Sequence, residues 1–149
     1  MKVVITGGYG FIGSHAVKKF IKCGHKVLNI DKLSYASDIS RLDKINKIKN
    51  YKFIKKDICD NRLLKPIEKF NPDLIINFAA ETHVDNSIKK PSDFINTNIY
   101  GTYNLLKIAL IIFNKRKKNN KRFKYIQIST DEVFGTLKHP QKFKKFNEK

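Results

Sequence analysis

With 149 residues and 41% hydrophobic content, the chain can bury one domain's core, and its composition is ordinary for a soluble globular protein. No stretch nears the roughly 18 apolar residues that cross a bilayer, and the Gly-rich start leaves no room for a signal peptide, so no membrane partner is expected. The net charge of +18 would suit a polyanion, but the arginines are only Arg41, Arg62, Arg116 and Arg122, and abundant Lys, Asn and Ile beside scarce Ala reflect AT-rich codons; no nucleic-acid partner is expected.

The first element is a buried strand over Lys2–Thr6, closed by Gly7-Gly8. Apolar Ile12, Ala16, Val17, Phe20 and Ile21 then recur at helical spacing from about Phe11 to Cys23, and Gly24 stops the pattern. A second strand, Lys26–Ile30, ends at Asp31. Leu33–Asn50 reads as a polar connection with a short helix around Ile39–Ile48. Tyr51–Ile54 is a third strand, ending before Asp57. Asp60 caps a helix running through about Phe70, with Pro66 a blemish in its pattern. After the turn Asn71-Pro72-Asp73, the run Leu74–Ala79 has the continuous apolar character of a strand covered on both faces. Ser92 or Asp93 opens a long helix to about Asn114, with Phe94, Ile95, Ile99, Leu105, Leu106 and Ile108 as its apolar face. Lys115–Lys121 reads as a solvated charged loop and Phe123–Ser129 as a fifth strand. The tail after Gly135 is basic and weakly patterned. Cys23 and Cys59 lack metal or redox spacing and read as free thiols of a cytoplasmic protein. No metal site is expected.

Strand and helix alternating in this way predict an α/β, doubly wound parallel sheet of order 3-2-1-4-5 with helices on both faces. Between the first strand and first helix lies Thr6-Gly7-Gly8-Tyr9-Gly10-Phe11-Ile12-Gly13. In that setting Gly7 permits the tight turn, Gly10 lets backbone approach a pyrophosphate, and Gly13 lets the helix pack against the strand. The helix's free N–H groups and positive dipole end then favour phosphate. Asp31 ends the second strand roughly 20 residues beyond the glycines, where a carboxylate accepts ribose hydroxyls and repels a 2′-phosphate. NAD is therefore expected over NADP, although Lys32 follows directly and softens the preference. Asp57-Ile58 stands where an adenine would lie; a solvent-exposed turn explains the pair nearly as well. Ala79-Ala80 would let a nicotinamide pass close to backbone, and tight strand–helix packing needs alanines too.

These segments resemble the extended short-chain dehydrogenase/reductase superfamily, with its Rossmann-type NAD-binding domain, and within it the dTDP-glucose 4,6-dehydratases. Three segments beyond the glycine turn carry the narrower resemblance: Asp31-Lys32-Leu33-Ser34-Tyr35-Ala36, Phe78-Ala79-Ala80-Glu81-Thr82-His83-Val84-Asp85 and Ser129-Thr130-Asp131-Glu132-Val133-Phe134-Gly135. The last discriminates, because related epimerases and decarboxylases lack the Asp-Glu pair. The resemblance implies that Phe11, Ile12, Asp31, Lys32, Leu33, Ser34, Asp57, Ile58, Phe78, Ala79, Ala80, Glu81, Thr82 and Thr97 contact NAD. It implies that Thr82 and Thr130 lie near the sugar of a nucleotide-sugar substrate. With Thr130, it makes Asp131 the acid that protonates a departing C6 hydroxyl and Glu132 the base that removes the C5 proton. Elimination needs one acid and one base near adjacent carbons. In a continuous strand Asp131 and Glu132 would point to opposite faces, so the chain must leave the strand there.

The resemblance runs from Met1 to about Gly135, giving an incomplete NAD-binding domain over 1–135 and a basic tail over 136–149. The family's Tyr-x-x-x-Lys pair, expected on the following helix, has no counterpart: no tyrosine follows Tyr125, which falls inside the fifth strand. Phe134 and Asn86 stand where the family carries Tyr and Arg. The expectation is a fragment, inactive alone, aggregation-prone through its last strand, and doubtful as the homodimer that the full-length family forms. An NAD-binding module without turnover, or another sugar-nucleotide epimerase or decarboxylase, is the alternative.

Overall fold

The computed structural model describes residues 1–135. Five strands, β1 (Lys2–Thr6), β2 (Lys26–Asp31), β3 (Tyr51–Lys55), β4 (Leu74–Asn77) and β5 (Lys124–Gln127), form one parallel sheet in the order β3-β2-β1-β4-β5. This is the Rossmann-type arrangement expected from the alternation of elements. The order reverses between β1 and β4, and there the sheet opens a crevice at the strands' carboxyl ends.

Strands β1 to β4 alternate their apolar side chains between two cores, while β5 adds only Tyr125 to one of them. Val3 and Ile5 of β1 pack with Val17 and Ile21 of α1 (Phe11–Lys22), while Val4 faces the opposite layer. That second layer holds Leu63 and Ile67 around α2 (Leu64–Phe70), and Leu105, Ile108 and Ile112 of a long helix described below. Asp60 caps the segment as expected, but its first turn, Asn61–Leu63, is a 3-10 turn. Pro66 is then only the third residue of α2, where its missing N–H removes no helical hydrogen bond. The connection after β2 keeps just one 3-10 turn, Ile39–Leu42, of the short helix expected over Ile39–Ile48.

The region 84–118 departs most from expectation. Two short helices, α3 (Val84–Lys89) and α4 (Pro91–Phe94), lead into a π-helical segment, Ile95–Gly101, and then α5 (Thr102–Lys118). The core-facing stripe is Thr97, Gly101, Leu105, Ile108, Ala109 and Ile112, while the expected contributors Ile95, Ile99 and Leu106 are exposed. The helix is apolar on two sides, so composition alone did not say which side met the sheet. Part of the expected charged loop is helix too. Arg116 is buried, donating to Asp73 and, at 3.0 Å each, to Asn71 Oδ1 and the Arg122 carbonyl. Both late strands are shorter than expected: β4 ends at Asn77 rather than Ala79, and β5 spans four residues. Among the described residues, no helix is long and apolar enough to cross a membrane.

Candidate functional site

The glycine turn joins β1 to α1 at the sheet's carboxyl edge. Gly7 takes φ +70° and abuts the end of β4, where a Cβ would stand 2.7 Å from Ala79 N. A Cβ at Gly13 would overlap the Gly7 carbonyl, so this residue lets the helix close on the turn itself, rather than on the strand as expected. Gly8 was not among the expected site glycines, yet a Cβ there would collide with the Asn29 amide. Gly10 differs from the other three. A Cβ at this position would approach only Gly7 O, at 3.1 Å. Gly10 also begins α1 with no capping side chain and no acid in the first turn. Phe11 and Ile12 follow, exposed. The protein's own packing requires three glycines; at the fourth it leaves room beside the free N–H groups of a helix start, a place that favours an anion.

Asp31 is buried at the end of β2, and three donors fix its carboxylate. Tyr9 N donates to Oδ2 at 2.9 Å, while Leu33 N and Ser37 Oγ donate to Oδ1 at 2.8 and 2.9 Å. The acid is thereby locked to the glycine turn. Leu33 takes φ +60°, a left-handed conformation that costs a leucine on the order of 1–2 kcal/mol, and its bond to Asp31 helps hold it. At the end of β3, Asp57 Oδ1 accepts from Cys59 N at 2.9 Å, and Ile58 is buried beneath Gly101. Burial, with the hydrogen bond and charge of Asp57, raises the Cys59 thiol to about 11.

Lys32 reaches across from β2 to the end of β4. Its Nζ donates to Glu81 Oε1 at 2.8 Å and to Thr97 Oγ1 at 3.2 Å, with Asp57 Oδ2 at 3.8 Å. Burial acts to lower the lysine's pKa, but the bond to Glu81 and the charges of Glu81 and Asp57 prevail and raise it. Thr97 is itself buried within the π-helical segment, a rare form that is frequent at functional sites. One residue on, Asn98 clamps the chain beyond β4: its Oδ1 accepts from Glu81 N and its Nδ2 donates to Glu81 O, both at 2.9 Å. The segment from Phe78 to Thr82 is thus held without being a strand.

These groups enclose one cleft. Gly7, Gly10, Asp31, Lys32, Ser34, Asp57, Ile58, Phe78, Ala79, Ala80 and Thr97 line it, all of them expected site residues. Ile30, Ala36, Ser37 and Lys56 also line it and were not expected. A wider groove opens at the opposite edge, between Lys2, Lys26, Leu74, Phe123, Lys124 and Ile126. It contains none of the expected residues and lies away from the edge where open α/β sheets bind ligands.

Thr82 and Thr130 are exposed, and they follow neighbouring strands at the same edge, where Ile128 N donates to Asn77 O at 3.1 Å. Beyond Gln127 the chain leaves the strand, and Asp131–Phe134 forms a 3-10 turn. The adjacent pair Asp131-Glu132 therefore lies on a turn and not in the strand.

Sequence reasoning missed the asparagines. Asn29 Oδ1 accepts from Gly8 N at 3.1 Å and its Nδ2 donates to the Tyr51 hydroxyl at 2.9 Å. Asn77 accepts from Thr6 Oγ1, and at 3.1 Å from Ala79 N, and donates to Gln127 at 3.0 Å. A signal was present: an asparagine inside an apolar strand is buried and must find partners. Nothing local marks Asn98.

A sequence model of the family described as GDP-mannose 4,6 dehydratase matches residues 4–148. The chain is 48% identical over 145 residues to a dTDP-glucose 4,6-dehydratase of Salmonella typhimurium, covering 94% of this chain and 40% of that protein. Among solved structures, dTDP-glucose 4,6-dehydratase from Bacillus anthracis in complex with NAD is similar at TM-score 0.75 and 35% identity, over 97% of this chain and 42% of that one. UDP-glucose 4-epimerase from Thermotoga maritima, with UDP-glucose, is similar at TM-score 0.78 and 29% identity, over 93% of this chain and 41% of that one. The chain thus spans about two fifths of the length of the relatives it matches.

Proposed function

The chain belongs to the GDP-mannose 4,6-dehydratase family, and on that premise we propose that it is the NAD-binding part of an enzyme that dehydrates dTDP-glucose to dTDP-4-keto-6-deoxyglucose. The observation that carries this reading is the uncapped start of α1 at Gly10, beside the fixed carboxylate of Asp31. A dinucleotide presents one pyrophosphate and one ribose diol to such a pair.

In this reading Gly7, Gly10, Phe11, Ile12 and Gly13 receive the pyrophosphate, and Asp31 to Ser34 hold the adenosine ribose. Asp57 and Ile58 border the adenine, and Phe78 to Thr82 with Thr97 border the nicotinamide. NAD, when bound, supplies hydride acceptance from the sugar's C4 and its return at C6. The C4 hydroxyl proton goes to the Tyr of the family's Tyr-x-x-x-Lys pair, and this chain's residues move the protons of the elimination. Thr82 and Thr130 orient the sugar by hydrogen bonding. Asp131 gives a proton to the departing C6 hydroxyl, and Glu132 takes the C5 proton, which a ketone at C4 has made acidic. Adjacent carboxylates disfavour double ionisation, which supports one of the two staying protonated as the acid.

A homodimer is supported by a second feature. Ile99, Tyr103, Leu106, Leu110 and Phe113 are exposed at spacings of 4, 3, 4 and 3 along the π-helical segment and α5, the seam of a helix that packs against another helix. A cytoplasmic setting is supported by the unpaired thiols of Cys23 and Cys59. The deciding experiment is a calorimetric titration of the folded chain with NAD. Saturable binding is expected; no heat and no thermal protection at millimolar NAD would refute the reading.

A further inference from the structure

Two lysines line the cleft, Lys32 and Lys56, and a carboxylate holds each. Lys32 donates to Glu81 at 2.8 Å, and Lys56 to Asp60 at 2.6 Å. In a chain of net charge +18 this local neutrality runs against the bulk balance. It matters because Lys32 directly follows Asp31. In dinucleotide-binding folds, a cation near the strand-end acid accommodates a 2′-phosphate, whereas the acid without it favours the free diol. Lys32 has the chemistry to admit NADP, and its present partners decide whether it does so. The Glu81 side chain is only 10% exposed and that of Lys32 33%, so the pair is partly withdrawn from water. Freeing the ammonium would strand a carboxylate in a poorly solvated place. Thr97 and Asp57 hold the same ammonium from two other elements.

We propose that Glu81 is a specificity residue: by holding Lys32 against Thr97 it withholds the ammonium from a 2′-phosphate and leaves Asp31 to select NAD over NADP. The inference rests on the dinucleotide reading above and adds to it the residue that sets the choice between the two cofactors.

The test is a pair of calorimetric titrations, NAD and NADP at one ionic strength, on the full chain. The proteins are wild type, Glu81→Gln, Glu81→Asp and the double variant Glu81→Gln/Lys32→Met. Wild type should prefer NAD. In Glu81→Gln the NADP-to-NAD affinity ratio should rise about tenfold or more, the worth of one charge-assisted contact, and the double variant should return it to the wild-type value. Glu81→Asp keeps the charge but shortens the reach by one methylene, so it should move the ratio the same way and serves if the amide does not fold. The ratio is the readout, because Glu81 also borders the nicotinamide and both affinities can fall together. A ratio unmoved in the single variants, or a gain that survives in the double variant, overturns the inference while wild-type NAD binding upholds the cofactor reading. Wild type that binds neither dinucleotide overturns both.

Discussion

The backbone N–H of Gly8 donates to the side-chain oxygen of Asn29 at 3.1 Å, and any Cβ on Gly8 would overlap that amide. The turn is therefore keyed to the second strand by a buried hydrogen bond, which continues from Asn29 Nδ2 to the Tyr51 hydroxyl at 2.9 Å. Gly8→Ala should push the amide aside and leave buried donors unpaired, at roughly 2–4 kcal/mol. Urea unfolding of the variant checks this; a loss below about 0.5 kcal/mol, the range of a neutral surface change, would mean the amide has room to move.

Gly10 and Gly13 should behave oppositely. At Gly13 a methyl would meet the Gly7 carbonyl, and Gly13→Ala should destabilise by about 2 kcal/mol or more through backbone overlap. At Gly10 it would meet only one carbonyl, at 3.1 Å, so Gly10→Ala should keep most of the melting temperature. NAD affinity should nevertheless fall about tenfold or more, because the methyl stands where the pyrophosphate approaches backbone. Thermal melts beside NAD titrations separate the two effects. Equal loss of stability at both positions would remove the ligand explanation for Gly10.

Arg116 ties the end of α5 to the turns before β4 and β5, and Asp73 Oδ2 also accepts from Lys2 N at 2.6 Å. Arg116→Ala should cost roughly 3 kcal/mol, the low end for breaking a buried pair, since Asp73 remains one-third open to water. Chemical denaturation measures it. A variant as stable as wild type would reduce the network to an exposed ion pair.

The exposed stripe on α5 predicts an oligomer. Leu106→Lys with Leu110→Glu places charge in the middle of the stripe and leaves the buried face of Leu105, Ile108 and Ile112 untouched. Light scattering should show dimer for wild type and monomer for the variant, with secondary structure retained. Identical masses would mean that another surface, or none, joins the subunits.

Much of this protein is legible in its sequence. The strand order, the glycine turn and the acids closing the second and third strands follow from local rules. Alternating apolar runs specify strands, glycine specifies a turn, and the handedness of crossovers restricts the order. The resemblance added Thr97, Glu81 and the pair Asp131-Glu132 as expected site residues; of these, Thr97 lines the cleft and Glu81 bonds to Lys32 beside it.

What folding alone decided is which distant residues meet. Lys32 finds Glu81 and Thr97 across separations of 49 and 65 residues, and Asn98 clamps Glu81 from a π-helical segment that no local pattern announces. The long helix kept its expected place and buries Leu105 and Ile108 as expected, but it turns Ile95, Ile99 and Leu106 outward, because both of its sides are apolar and only packing distinguishes them. Periodicity is a property of neighbours along the chain. A hydrogen bond between remote side chains leaves no period, so the partners that tune this cleft become visible only once the sheet has brought them together.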